Sequence, residues 1–238
     1  IICTHCENAI DTGNIGVSAG GAFGGVVAIY FGLSAISALF VPLLGFVMAL
    51  ITLVFVYVIA TSHGKTSMLT LLLTGIAISS FLSACTSLLI SFSNAGVMLQ
   101  IVQWLMGDLN GRDWGEVKIL VVPILLGICI FMYYANDLDI FLLGEEQAQN
   151  MGISVQRTRN LLLIVASLVT GFSVALTGAI GFVGLIVPHM IRMIIGPTHR
   201  YLLLASALGG ASFLIIADLI SRLVIRPAEI QIGIITGF

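Results

Sequence analysis

TGAIGFVGLIVPHMIRMIIGPTHRYLLLASALGGASFLIIADLISRLVIRPAEIQIGIITG, residues 177–237, is the stretch whose reading decides the fold. It is too apolar for a soluble surface. Yet it carries Pro188, His189, Arg192, His199, Arg200, Asp218, Arg222, Arg226 and Glu229 at irregular intervals. Polar groups at membrane depth are costly, and they sit inside helix bundles or at helix ends. The stretch therefore reads as membrane helices with functional polar punctuation.

Composition extends that reading to the whole chain. Hydrophobic residues make up 59% and charged residues 8% of the 238 residues, and the mean hydropathy is +1.16. Soluble domains carry roughly 25% charged residues. The 26 glycines suit helices that pack closely in lipid. A net charge of -2 carries no signal for nucleic acid, and none is expected as a partner. The sequence predicts an all-α polytopic membrane protein, one transmembrane domain over residues 1–238.

A helix needs about 20 apolar residues to cross a bilayer. The apolar runs give seven candidate spans: Ile15–Leu33, Pro42–Ala60, Met68–Ser91, Val117–Ala135, Leu161–Thr177, Phe182–Ile195 and Tyr201–Leu223. The sixth is short and contains Pro188, so it is expected to be broken or surrounded by protein. Ile230–Phe238 reads as the start of an eighth element. Val97–Met106 is apolar but too short to span, and a helix lying in or re-entering the membrane surface fits it. Gly13–Ser18 and Ala179–Gly184 open two spans in a similar way, from opposite faces, which suits an inverted repeat.

The polar connections set the orientation. Lys65, Arg157, Arg159 and Arg200 collect on one side, with Arg192 near it. Arg112, Lys118, Arg222 and Arg226 collect on the other. The small excess assigns the first side to the cytoplasm. The longest polar connection, residues 136–159, lies there. Within it Gly144 and Gly152 bracket a polar segment long enough for about two helical turns. Glu145 and Glu146 stand at its start, where a helix N-terminus favours negative charge.

Several motifs are set aside. Gly64-Lys65-Thr66 would belong to a phosphate-binding loop only with glycine at position 59, where Ile59 stands. Any ATP that drives the protein is bound by another subunit. Cys3-Thr-His-Cys6 is a lone pair, short of the four ligands of a structural zinc site. Cys85 and Cys129 fall in apolar spans as small packing residues. No metal site and no cofactor is expected. Ser79, Ser80, Ser83 and Thr86 recur near one face of the third span and read as packing positions. Asp218 and Arg222 stand at i and i+4, a spacing that lets them meet on one helix.

With these residues in view, the chain resembles the FecCD family, the permeases of ABC importers for iron-siderophore, haem and vitamin B12. The similarity rests on Gly16-Val-Ser18, Gly107 with Trp114, and Leu143–Ile153. It continues through Gly178–Arg192, Gly196–Arg200, Ala217-Asp218 with Arg222, and Pro227-Ala-Glu229 with Gly233. The motifs run in the family's order from about Asn8 onward. The family's Asn-Pro-Leu-Ala is here Asn8-Ala9-Ile10-Asp11. The resemblance implies that the chain lacks the family's first two spans and most of its last.

The resemblance further implies the division of labour. Gly144, Glu145, Glu146, Gln147, Ala148 and Gly152 would couple to the ATPase. Arg222, with Arg226, would dock a binding protein. Gly181, Pro188, His189 and Arg192 belong to a structural signature, and His189, alone in an apolar helix, is expected to be a hydrogen-bonded packing residue. His199 and Arg200 read as an interfacial turn. The implied partners are two cytoplasmic ATPase subunits, a second permease subunit of the same or another kind, an extracytoplasmic binding protein and membrane lipid. The chain would be a transporter subunit rather than an enzyme. It would move a ferric siderophore across the cytoplasmic membrane by alternating access, with haem or cobalamin as the alternative cargo. A proton- or sodium-coupled carrier and a non-functional remnant are the rivals.

Overall fold

Without water to bond to, backbone in a bilayer must satisfy itself, and helices do so within one segment. The computed structural model describes residues 2–3, 9–10, 16–37, 39–62, 65–66, 68–109, 114–142, 144–224 and 231–237. In chain order the helices are α1 (Val17–Tyr30), α2 (Leu33–Ile36), α3 (Phe40–Ala60), α4 (Met68–Ser91), α5 (Ala95–Met106) and α6 (Trp114–Tyr133). They continue with α7 (Ala135–Phe141), α8 (Glu145–Asn150), α9 (Val155–Thr177), α10 (Val183–Ile195), α11 (His199–Leu223) and α12 (Ile232–Thr236). Two antiparallel ladders of two residues per strand complete it. One joins Ile2–Cys3 to Ala9–Ile10, and the other Thr61–Ser62 to Lys65–Thr66.

Among the described residues, five helices, α3, α4, α6, α9 and α11, are long and apolar enough to cross a membrane. The other two expected spans are half-length, with 14 residues in α1 and 13 in α10. Left-handed residues mark their ends: Gly16 at φ 82° and Gly32 at φ 69° around α1, Phe182 at φ 66° and Gly196 at φ 94° around α10. The fifth span begins at Val155 rather than Leu161, because Gln156, Arg157, Arg159 and Asn160 extend the helix beyond its apolar part. Hydropathy reads only the apolar part.

The core is built around α1. Ala60, Leu71, Leu138, Phe141 and Ala148 share one buried cluster, so the C-terminal end of α3 and the α7–α8 segment lie at one end of the bundle. Tyr30 leads through α2 into the start of α3, so α1 runs toward the opposite end. α10 runs the other way, since a three-residue turn joins it to His199, which touches Asp139 of α7. α10 packs its Val187 and Ile191 onto Gly209 of α11. Its other faces are exposed in this chain, and at 13 residues with Pro188 inside it is a half-length helix, the first of the two expected alternatives.

Glycines on α1 make the close approach possible. A β-carbon on Gly20 would strike the Thr52 hydroxyl, and one on Gly24 the Leu44 carbonyl. One on Gly21 would stand 2.9 Å from Val174. On Gly25 it would land on the indole of Trp104, whose Nε1 donates to the Ala22 carbonyl at 3.1 Å. Ile101 is fully buried with Val26, Ala28 and Ile29. So α5 folds back alongside α1. Cys85 is half-buried and Cys129 exposed in this chain.

Adding one methyl group at this seam should displace the indole. Gly25→Ala is expected to cost about 1–3 kcal/mol by overpacking. Gly210→Ala, where a β-carbon meets nothing within 4 Å, should cost almost nothing. Melting of the detergent-solubilised protein, with Trp104 emission followed in a Trp114→Phe background, checks both.

Candidate functional site

The polar connection expected over residues 136–159 is a bracket of short helices with an apolar underside. Ala135, Leu138 and Phe141 recur at helical spacing and are buried at 1%, 2% and 5% exposure. Leu138 and Phe141 pack with Val56, Ala60 and Leu71. α8 is seated by Ala148, which is 0% exposed. Gln147, Gln149 and Asn150 face outward. The six-residue helix is bounded by Gly144 at φ 110° and Gly152 at φ 84°, backbone that residues with a β-carbon adopt only at a cost. Ala148 N–H donates to the Gly144 carbonyl at 3.1 Å, and Ile153 N–H to the Ala148 carbonyl at 3.1 Å. The arm is therefore fixed to the bundle by buried side chains and presents a polar outer edge. The side chains of Glu145 and Glu146 lie outside the described residues.

Polar contacts tie α9 to the same end. Arg159 donates to Gln156 at 2.7 Å, Gln156 to Asn160 at 3.3 Å, and Asn160 to the Tyr57 hydroxyl of α3 at 2.8 Å. Beside α8 a cavity of about 470 Å³ opens between Tyr134, Asp137, Gly152, Ser154, Arg157 and Thr158. It carries one acidic and one basic side chain next to the arm.

One contact at this end was not legible as a pair. Asp139 Oδ1 accepts the His199 backbone N–H at 2.8 Å and lies 2.7 Å from His199 Nδ1. The sequence presents Asp139 as one acid among several and His199 as a turn residue. Nothing local links positions 60 residues apart. Of His189 and His199, the one buried and bonded is His199, at 1% exposure. His189 is exposed on α10, which corrects its expected packing role. In the same signature Gly181 is exposed, while Pro188 and Arg192 are half-buried.

At the opposite end Arg222 closes on Asp218 through two bonds, Nε to Oδ2 at 2.9 Å and Nη2 to Oδ1 at 3.2 Å. An exposed pair at i and i+4 is worth about 0.3–0.5 kcal/mol, so its value lies in aiming the guanidinium rather than in stability. Arg226, with Pro227-Ala-Glu229, lies outside the described residues, as do Arg112, Gly64 and Cys6. Of the hydroxyls on α4, Thr86 is buried and Ser79 half-buried, while Ser80 and Ser83 are exposed. Ser79, Ser80 and Thr86 each bond the carbonyl four residues back. Packing accounts for Ser79 and Thr86 within this chain but not for Ser80 and Ser83. Among the described residues, no three His, Cys, Asp or Glu side chains converge as metal ligands would.

The seat of α8 can be tested apart from its outer edge. Ala148→Leu forces three heavy atoms into a filled site and should cost about 1–3 kcal/mol. Gln147→Leu, on the exposed side, should stay within about 0.5 kcal/mol. Melting curves of the two purified variants against the parent check the difference.

Comparison with known proteins agrees with this architecture. The model of the FecCD transport family matches residues 7–238. The chain is 43% identical over 227 residues to a cobalamin import system permease protein of Halobacterium salinarum, covering 95% of this chain and 60% of that protein. It is 41% identical to an uncharacterised ABC transporter permease of Bacillus subtilis, covering 95% of this chain and 65% of the relative. It is 34% identical to a hemin transport system permease protein of Yersinia pestis, covering 95% and 69%. The chain thus spans about two thirds or less of the length of the first two relatives. Among solved structures, an inward-facing conformation assigned to the metal-chelate type of ABC transporter superposes with a TM-score of 0.88 at 33% identity, covering 96% of this chain and 72% of the other. With an all-helical membrane bundle, a short helix held between two left-handed glycines and a family match over nearly its full length, the chain belongs to the FecCD transport family.

Proposed function

We propose that the chain is the membrane permease subunit of an ABC importer in the cytoplasmic membrane, moving a metal chelate by alternating access. The observation that carries this reading is the arm. α8 is a short helix with a buried seat at Ala148 and an exposed polar edge, in a chain of the FecCD family. Such an element transmits a push from a partner only if it cannot slide, and the buried Leu138, Phe141 and Ala148 prevent sliding. ATP binds and is hydrolysed on a separate cytoplasmic subunit, whose movement α8 receives through Glu145 to Gly152. A second permease subunit would complete the path. An extracytoplasmic binding protein would deliver cargo at the end that carries Arg222.

Cargo is the finer part of the proposal. The ferric siderophore expected from the sequence rests on how often the family carries one. The relative at 43% identity is named for cobalamin and another for hemin, which favours cobalamin as the first cargo to test. A carrier driven by protons or sodium would need a carboxylate inside a span. The described carboxylates on the spanning helices, Glu116 and Asp218, stand within about two turns of helix ends, and Asp218 is bound to Arg222.

Uptake of labelled cobalamin, haem and ferric hydroxamate is measured in cells lacking the gene, with and without its restoration. The ATPase and binding-protein partners are co-expressed. ATP-dependent uptake of one cargo is expected on restoration. No uptake of any, with the protein present in the membrane, rejects the metal-chelate reading. Glu145→Ala with Glu146→Ala should abolish ATPase co-purification while leaving the permease in the membrane. Arg222→Ala should slow binding-protein association at low salt by up to about tenfold and leave dissociation little changed, since an exposed interfacial charge acts mostly on the on-rate. Surface plasmon resonance at two salt concentrations reads this directly.

A further inference from the structure

We propose that Asp139 and His199 form the joint through which movement of the α7–α8 arm reaches α11. The proposal rests on the reading of α8 as the ATPase-coupling element. It names what lies downstream of it.

The joint occupies a narrow attachment. α10 packs chiefly on α11, and α11 meets the remaining helices at α7, α6 and α12. The α10–α11 pair is thus a peripheral unit hung on the bundle, and α7 is one of its few points of attachment. α11 has 25 residues, a rod of about 37 Å. Its first residue is His199, and its last turn carries Arg222. A displacement applied at one end of such a rod appears at the other.

The chemistry of the contact makes it specific. Helix N-termini leave N–H groups without intrahelical acceptors. Thr198 stands at the N-cap of α11, but its side chain caps nothing. Asp139 supplies the acceptor from α7 instead, and its negative charge suits the positive end of the helix. The same Oδ1 also takes the ring, 2.7 Å from Nδ1, so Nδ1 carries the proton and donates. His199 Nε2 is buried and has no partner among the described residues. The ring is therefore held by this one carboxylate. Leu138, adjacent to Asp139, is buried in the cluster that also contains Ala148. One packed path leads from the seat of α8 to the first N–H of α11.

The test is hydrogen exchange on the chain in complex with its co-purified ATPase subunit, with and without ATP and vanadate. In the parent, trapping should change exchange both in α8 and in the first turn of α11. In Asp139→Ala, the resting exchange of the His199 N–H should rise about tenfold, as expected for a lost charge-assisted bond. The α8 response should remain and the α11 response should vanish. Asp139→Asn keeps an oxygen that accepts both bonds and should restore the α11 response, which a loss of packing alone would not predict. His199→Gln, which keeps the backbone bond and loses the ring, should weaken that response; it serves as the second variant if Asp139→Ala does not assemble. An undiminished α11 response in both Asp139→Ala and His199→Gln overturns the joint while leaving the coupling arm intact. No change in α8 of the parent on trapping overturns the coupling reading itself, and the joint with it.

Discussion

Close approach of backbones around α1 is the constraint on which the rest of the structure depends. In lipid, no hydrophobic force drives one helix against another, so association relies on packing and internal bonding. Gly20, Gly21, Gly24 and Gly25 remove side chains where Thr52, Val174, Leu44 and Trp104 arrive. α3, α9 and α5 can then all pack on one 14-residue helix. The Trp104 indole fills the notch left by Gly25 and closes it with a bond to the Ala22 carbonyl. Because α5 is held there, its C-terminal end reaches the linker before α10 and the start of α12. Gly178 meets the Trp104 carbonyl, and Gly233 meets the Met106 carbonyl.

A centre packed in this way leaves specific polar contacts to the two ends. At one end the α7–α8 arm is fastened by Leu138, Phe141 and Ala148, so it behaves as part of the bundle rather than as a loop. At the other, Arg222 is steered by Asp218 on an exposed helix face. Between them runs α11, attached at its start to the arm by Asp139 and exposed over most of its length. The apolar exposed faces of α6, α10 and α11 are what lipid and neighbouring subunits cover in a membrane protein. The division is physical: rigidity at the glycine seam, specific polar contacts at the two ends.

Much of this was legible in the chain itself. Apolar composition and run length predicted an all-helical membrane protein, because a bilayer leaves a spanning segment few alternatives. The i and i+4 spacing of Asp218 and Arg222 predicted their contact, because helix geometry is local. Gly144 and Gly152 predicted the limits of α8, because backbone with positive φ favours glycine over residues with a β-carbon. Run length took Ile15–Leu33 for a full span, since Gly16 and Gly32 bound the helical conformation without ending the apolar run, whereas the sixth run was short from the start. The polarity of residues 136–159 hid the buried Leu138, Phe141 and Ala148, which recur at helical spacing among charged neighbours.

What only the tertiary structure decided are the contacts between distant positions. His199 was one of two histidines in the apolar C-terminal third, and the sequence favoured His189 for the bonded role. Folding buries His199 against Asp139 and leaves His189 exposed. Trp104 likewise meets Gly25 only through the fold. The sequence by itself determined the medium, the helices and the local pairs, because these follow from hydropathy and from 3.6-residue periodicity. Only the tertiary structure determined which buried polar groups meet, because that depends on how rigid helices register against one another over separations that no local pattern encodes.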